Sequence, residues 1–554
     1  MKTKLITVAI LALSQGALAA QPPSAGGQIQ QVPPSPVQQK PAPEIRIEQR
    51  EPAADTAPDT AKVLVNSLRV TGQTAYSEAD LIAVADFVPG SELTLTDLRG
   101  MSHKIGDHYR RNGYFVAQAY LPAQDIKDGV VTIAVLEGKY GTVSVRNQSN
   151  LAEGVPNGIL SGLNSGDVIT NRPLETRLLL LSEIPGVNVK STLVPGTSLG
   201  ASDLIVDVTP GQRVSGSIDA DNAGNRYTGE NRIGATVNLN NPTGRGDVAT
   251  LRGMTSGSGL NYLRGSYQMP LGKATGGVAY THMDYRLGKE FADLQAHGTA
   301  EIASIYGSYP LFRTRRNNVN AHLAFDAKTF QDKIDSTSSV TDKEAQVLMA
   351  SLQGDHHDDF GGGGLNSYFL TLSGGNIDIQ TPAALAADQA TARSNGRFSK
   401  VSFNASRLQN LTHTTSFYIS LDGQAASKNL DVSEKMELGG MSAVRAYPEG
   451  EAFADEGYVL TLEARMRLPR LTANMPGQMH LIGFVDGGHV TMHKNPWTAG
   501  ENTRNLSGAG IGLTWMEYNN FMVTAYYAHK LGNASATSAP DRSGRFWIQL
   551  VKYF

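Results

Sequence analysis

From Gly211 to Phe554 the chain alternates apolar and polar residues with a period of two, segment after segment. No run in it approaches the roughly eighteen unbroken apolar residues of a membrane helix. In RIGATVNLN, Ile233, Ala235, Val237 and Leu239 fall on one face, and Arg232, Thr236 and Asn238 on the other. In YVLTLEARMRL, Tyr458, Leu460, Leu462, Ala464, Met466 and Leu468 oppose Thr461, Glu463, Arg465 and Arg467. An apolar row backed by charges suits a strand with lipid on one side and a wet lumen on the other. A bilayer offers no water to satisfy an open sheet edge, so such strands must close into a barrel. A soluble sandwich also alternates, but its strands are usually shorter and its connections more even.

The last segment, RFWIQLVKYF, places Phe546, Ile548, Leu550 and Phe554 on one face, with Lys552 set to snorkel near the end. A strand that ends the chain on an aromatic resembles the terminal signal of bacterial outer-membrane barrels. Counting back from a periplasmic Phe554 predicts strands near 545–554, 521–530, 507–516, 479–486 and 458–468. The turns LPRLTANMPGQ and MEYNN then face the periplasm, and the longest outer loop spans about 425–457. Continuing to Gly211 gives about sixteen antiparallel strands, an even number as bacterial barrels require.

The N-terminal third has a different grammar. Lys2 and Lys4, the apolar LITVAILAL and the small residues ALAA predict a secretory signal peptide over 1–20. Residues 21–61 are rich in Pro, Gln and Ala, cannot build a core of their own, and read as a linker. Within them EIRIEQRE could form a short helix. Two similar β-α-α-β-β units follow, at 62–138 and 139–210. In the first, Thr94 and Asp97 are spaced to cap a helix that Gly113 ends. These are small α+β domains with an exposed sheet edge. The chain has no cysteine, which excludes disulfides, thiolate metal sites and cysteine nucleophiles, and its net charge of -3 gives no footprint for nucleic acid.

Candidate functional residues gather near the longest loop. Its stretch AVRAYPEGE carries Val444, Arg445, Tyr447 and Pro448. In GFVDGG the lipid row is Met479, Leu481, Gly483 and Val485, so Phe484 and Asp486 face the lumen, with Gly488 beyond them. An inward aspartate near the entry of a long loop invites a bidentate pair with Arg445, which would hold the loop inside the barrel. Glu463 and Arg465, lumenal on the preceding strand, could extend the network. The alternative is a solvated Arg445 on an external loop, with Asp486 merely starting a turn.

These residues resemble a known family. VRAYPEGE looks like the VRGYP motif in the sixth extracellular loop of two-partner secretion transporters (TpsB), within the POTRA–barrel superfamily, and FVDGG resembles their FxDxG barrel motif. The tandem units look like two POTRA domains, and DNAGNRYTGENRIGATVNLNNPTGRGD resembles the start of the barrel. The resemblance covers essentially the whole mature chain. It implies periplasmic POTRA domains, an outer-membrane barrel, and secretion of one large exoprotein of adhesin, haemolysin or haem-binding type. It also implies contact with outer-membrane lipid, and with periplasmic chaperones and barrel-assembly machinery during biogenesis. Arg445 would be the loop-tip arginine and Asp486 its wall partner. There are two departures: Ala446 stands where the family usually has glycine, and no plug helix is evident in the proline-rich segment.

GDHHDDFGGGG, Gly354 to Gly364, packs two histidines and three aspartates, but a solvated periplasmic turn is preferred to a metal site. No nucleophile elbow, Walker loop or HExxH appears, so no enzyme, cofactor or metal is expected. Tyr262, Arg264, Ser266 and Gln268 point inward and suit a wet lumen. A barrel-assembly insertase typically carries more POTRA units, and a small-solute channel would have none.

Overall fold

The computed structural model describes residues 22–38, 43, 45–47 and 61–554; the signal-peptide reading of 1–20 lies outside them. Sixteen antiparallel strands from Val214–Asp221 to Gly544–Tyr553 form a closed barrel. Each pairs with its sequence neighbour, and the last pairs with the first through Ser217↔Tyr553 to Asp221↔Gln549. The alternation fixes which side faces out. Leu263, Val278, Ile305, Leu323 and Ile511 stand exposed on the outer wall, whereas Arg252 and Asp219 pair inside at 2.9 Å. A charged pair facing hydrocarbon would be costly, and one facing a wet lumen is not.

The strand predicted at 458–468 runs Glu456–Arg467, and that at 479–486 runs Gln478–Thr491. Strands are longer than predicted at their outer ends because cross-strand pairing continues beyond the lipid row. In the same way His356 and His357 belong to the strand Ser339–Asp358, not to the turn, which is only residues 359–363. Asp358 there accepts from Arg407 and Asn366, and no metal-ligating cluster occurs among the described residues.

The second N-terminal unit follows the predicted β-α-α-β-β order, whereas the first has a further strand, Ser91–Thr94, between its two helices, paired with Lys62–Val65 at the start of the unit. In the first, Thr94 and Asp97 form a reciprocal capping box on the helix Leu95–Arg111, and Gly113 turns the chain with φ +91°. That helix buries Leu98, Ile105 and Tyr109 against the sheet residues Val70, Val131 and Ile133. In the second, the helix Asn171–Ser182 buries Leu174, Leu178 and Leu181 against Leu193, Leu204 and Val206. The second unit meets the barrel at its turns. Ala152 N donates to Gly244 O at 2.7 Å, Thr176 Oγ1 to Arg313 O at 2.8 Å, and Arg315 N to Glu175 Oε1 at 3.2 Å.

The proline-rich segment departs from a plain linker. Ala25–Gln30 is a helix, lying beside the strands Ala274–Arg286, Ala296–Arg313 and Asn317–Ile334 inside the lumen. AGGQIQ has too little apolar surface for a core of its own, but Ala25 and Ile29 pack into one lined by Met283, Tyr285 and Phe330. EIRIEQRE likewise contributes a strand, Ile45–Ile47, rather than a helix; its remaining residues lie outside those described. It pairs in parallel with Val187–Pro195 of the second unit, and that pairing decides its conformation over local propensity.

Candidate functional site

The chain leaves the barrel wall at Ala426, rejoins it at Glu456, and in between folds back into the lumen. Its tip is where the sequence placed the candidate residues, and the structure brings them together. Arg445 Nε donates to Asp486 Oδ2 at 2.8 Å and Nη2 to Oδ1 at 2.7 Å, a parallel fork. The backbone N–H of Arg445 adds a third bond to Oδ2 at 3.1 Å. Nη1 donates to Glu463 Oε1 at 2.8 Å, and Arg465 Nε to Glu463 Oε2 at 2.8 Å. Arg445, Asp486 and Glu463 are only 4%, 0% and 4% exposed, so the solvated-arginine alternative does not describe this fold.

The remaining motif residues shape the seat. The Phe484 ring lies under the guanidinium, 3.5 Å from its centroid, and meets Tyr526 edge-on. Val444 is fully buried, and Tyr447 Oη donates to Ala534 O at 3.1 Å while Lys530 lies over its ring. Pro448 is also buried. A Cβ at Gly488 would overlap Leu438 of the loop, so glycine there makes room for the loop itself. Ala446 faces Gly508, whose missing side chain admits the alanine methyl, and Ala446 does not take a left-handed backbone. Alanine therefore fits where the resemblance expects glycine.

Several members of the site were not singled out from the sequence. Gly508, Gly510 and Gly512 alternate on one face of the strand Thr503–Glu517, flat wall against which Ala446, Phe484 and Tyr526 lie. Trp547 Nε1 donates to Arg445 O at 2.7 Å. A second set of ion pairs fixes the loop to other parts of the wall. Glu434 is held by Lys328 at 2.7 Å and Lys400 at 3.0 Å, and Asp431 by Lys343 at 2.9 Å. Within the loop, Lys435 pairs with Asp455 at 2.7 Å. The signal available in advance was the run DVSEKME inside the loop and inward parity for Lys328 and Lys400.

The helix Ala25–Gln30 rests on this second anchor. A Cβ at Gly26 would come within 2.8 Å of Ser433 Cβ, so only glycine allows so close a seat. Gln30 Nε2 donates to Val432 O at 2.6 Å, and Gln31 Nε2 to Glu437 Oε1 at 3.2 Å. On the wall side, Ala25 N donates to Asp332 Oδ1 at 2.7 Å and Thr228 Oγ1 to Gln28 Oε1 at 2.7 Å. Helix and loop together occupy the lumen.

A barrel of sixteen strands carrying two small α+β units on its periplasmic turns, with a loop pinned inside, defines an outer-membrane protein of the POTRA–barrel class. The comparisons narrow the class. Residues 200–515, more than half of the chain, match the family described as haemolysin secretion/activation protein ShlB/FhaC/HecB, and residues 63–138 match the POTRA domain of ShlB type. The chain belongs to that family, and it is a two-partner secretion transporter of the outer membrane with periplasmic POTRA domains. It is 28% identical over 475 residues to the heme/hemopexin transporter protein HuxB of Haemophilus influenzae strain 86-028NP, covering 84% of this chain and 82% of that one. It is 24% identical over 472 residues to the outer membrane transporter CdiB of Dickeya dadantii, covering 83% and 82%. Its fold is similar to solved CdiB from Escherichia coli, with TM-score 0.69, 20% identity and coverage of 91% and 93%. BamA from Haemophilus ducreyi lacking POTRA domains 1-3 shares the fold at TM-score 0.54 and 15% identity, covering 89% and 100%.

Proposed function

We propose that the loop between Ala426 and Glu456 and the helix Ala25–Gln30 form the closed gate of a pore that passes an unfolded exoprotein. The POTRA sheets capture the N-terminal region of that exoprotein by adding it as a strand, main chain to main chain. The partner is a large secreted protein of adhesin, haemolysin or haem-binding kind, in keeping with relatives named for heme/hemopexin transport. The observation that carries the gate is the buried fork between Arg445 and Asp486, at 2.8 and 2.7 Å. An ion pair so fully desolvated costs a great deal when half of it is removed, so it holds one geometry until displaced as a unit. Chain emerging outside folds there, which withdraws it from the transport equilibrium and drives net movement without a nucleotide.

Deletion of residues 62–210 separates this reading from a small-solute channel. Loss of exoprotein from the medium, with the barrel still in the outer membrane, is the expected result. Unchanged secretion by the deletion variant would refute capture at the POTRA units.

A further inference from the structure

The outer wall of the barrel has a hollow on the periplasmic half of the strands Leu260–Leu271, Ala274–Arg286, Ala296–Arg313 and Asn317–Ile334. Its volume is about 650 Å³, and Tyr267, Met269, Leu271, Val278, Ile305 and Leu323 line it. Its floor is the register pair Gly276↔Gly307. These two positions face outward, because Tyr306, next to Gly307, points into the lumen and donates through Oη to Gln268 Oε1 at 3.4 Å. Neither glycine has a positive φ. A Cβ at Gly307 would meet nothing nearer than Thr275 O at 3.4 Å, an ordinary contact, so neither backbone nor packing asks for glycine there. A smaller hollow, about 130 Å³, adjoins the first at its periplasmic end and shares Met269, Ala274 and Thr275 with it. Its other walls are Leu180, Ile184 and Pro185 of the second POTRA unit and the turn of Gly272 and Lys273.

We infer that the two hollows together seat one anionic glycerophospholipid of the periplasmic leaflet, with an acyl chain on the glycine floor and the phosphate at Lys273. The wall here faces hydrocarbon, so a hollow that no side chain fills takes an acyl chain. The chain gains nothing by transfer, since it leaves one apolar medium for another. Any preference for one lipid must therefore come from the headgroup, and Lys273 supplies it. Its side chain is exposed, joins no ion pair among the described residues, and belongs to the turn where the two hollows meet. A lysine so placed attracts anionic lipid. The carboxylate nearest to hand, Glu183, is already paired with Arg313 and sets no uncompensated charge against a phosphate. The POTRA helix lies at the right depth. The Arg172 guanidinium of Asn171–Ser182 stands 5.6 Å over the ring of Phe312, which is 48% exposed on the outer wall. One end of that helix thus meets the rim where headgroups begin, and the other, with Leu180, closes over the smaller hollow. A lipid held there touches the barrel and the second POTRA unit at once.

Tryptophan quenching by brominated acyl chains tests the seat in the full-length protein. Tyr309→Trp places the reporter in the hollow, and Ile511→Trp, at a position 64% exposed on another stretch of wall, reports ordinary surrounding lipid. Each is read as the difference from the parent chain, which removes the background of its three tryptophans. The vesicles are phosphatidylcholine with a minor fraction of either brominated phosphatidylglycerol or brominated phosphatidylcholine. At position 309 the anionic lipid is expected to win by about fivefold, the factor that one lysine near the surface supplies, and at position 511 by none. Lys273→Glu should abolish the preference at 309. Gly307→Leu, which fills the floor, should abolish it too, with folding of each variant checked by heat-modifiable migration on gels. Equal preference at 309 and 511 would overturn the inference, since the hollow would then hold ordinary wall lipid. So would a preference that survives Lys273→Glu. A preference lost in Lys273→Glu but kept in folded Gly307→Leu would overturn the seat as well, leaving the lysine a plain surface charge. Should Gly307→Leu not fold, Lys273→Glu decides alone.

Discussion

Replacing Arg445 by alanine tests the gate most directly. The substitution removes a fork to Asp486, a bond to Glu463 and two aromatic contacts, at Phe484 and Tyr526. It leaves two carboxylates that are 0% and 4% exposed without their shared cation, although Arg465 still reaches Glu463 at 2.7 Å. Removing one partner of a buried pair costs about 3–5 kcal/mol, much of it the desolvation of the group left behind. Since about 1.4 kcal/mol is a factor of ten, the undocked tip should become more populated by two to three orders of magnitude. The ion pairs at Glu434 and Asp431 remain, so the tip should flicker while the base of the loop stays seated. Single-channel recording in planar bilayers should therefore show frequent short openings of Arg445→Ala, not a permanently open pore. Asp486→Ala should look similar, and the double variant little worse than either, because the two residues act on one interaction; a coupling of about 2–4 kcal/mol is expected. Arg445→Lys keeps the charge and loses the fork, and should fall between. Additive effects of the two alanine variants, with coupling below about 0.5 kcal/mol, would show that the pair does not hold the tip.

Three further outcomes follow from other contacts. Glu434→Gln unpairs Lys328 and Lys400 together, so combined with Arg445→Ala it should turn short openings into long ones in the same recordings. Gly26→Val pushes a side chain into Ser433, within 2.8 Å already at Cβ; it should unseat the helix and raise mean conductance without altering assembly of the barrel, checked by heat-modifiable migration on gels. In the first POTRA unit, burial pushes the Glu137 carboxyl up, but hydrogen bonds from Thr74, Ala75 and Tyr109 outweigh it and leave it below its ordinary 4.5. A carboxylate lowered by folding contributes stability that is present above pH 4.5 and lost as pH falls through the folded value, so the hydrogen-exchange protection factors over 62–138, referred to the intrinsic rate at each pH, should drop on acidification below 4.5. Glu137→Gln should cost about 2–4 kcal/mol near neutral pH and flatten that dependence.

What the sequence made legible follows from how local each signal is. Strand parity is written in every pair of residues, so the inward placement of Glu463, Phe484 and Asp486 could be read without knowing the fold. Capping is written within four residues, and Thr94 with Asp97 behave as spaced. The fork between Arg445 and Asp486 needed more, since 41 positions separate them and nothing local says that the loop turns inward. The helix at Ala25–Gln30 was not legible at all. Its glycines and glutamines argue for disorder in isolation, and only the lumen wall and the backbone at Ser433 make them advantageous. The same holds for Ile45–Ile47, whose conformation is set by Ser191, Thr192 and Leu193 nearly 150 residues on.

Those two borrowed elements constrain how such a gate can open. The helix touches the loop at Val432 and Ser433, next to the residue that Lys328 and Lys400 grip, so it cannot leave without disturbing the anchor that holds the loop base. The loop tip is fixed separately, against a glycine-floored wall by Arg445, and shares no ion pair with the base. Each anchor alone involves buried carboxylates that would be costly to strand, and neither needs the other to stay closed. Opening wide enough for a polypeptide therefore requires both to yield. A signal arriving from the periplasm reaches the base first, because the segment 22–38 runs from the rim at Phe554 to the helix. The order that the contacts permit is helix and base, then tip. On that order Arg445→Ala, which releases only the last step, should leave export dependent on the POTRA units.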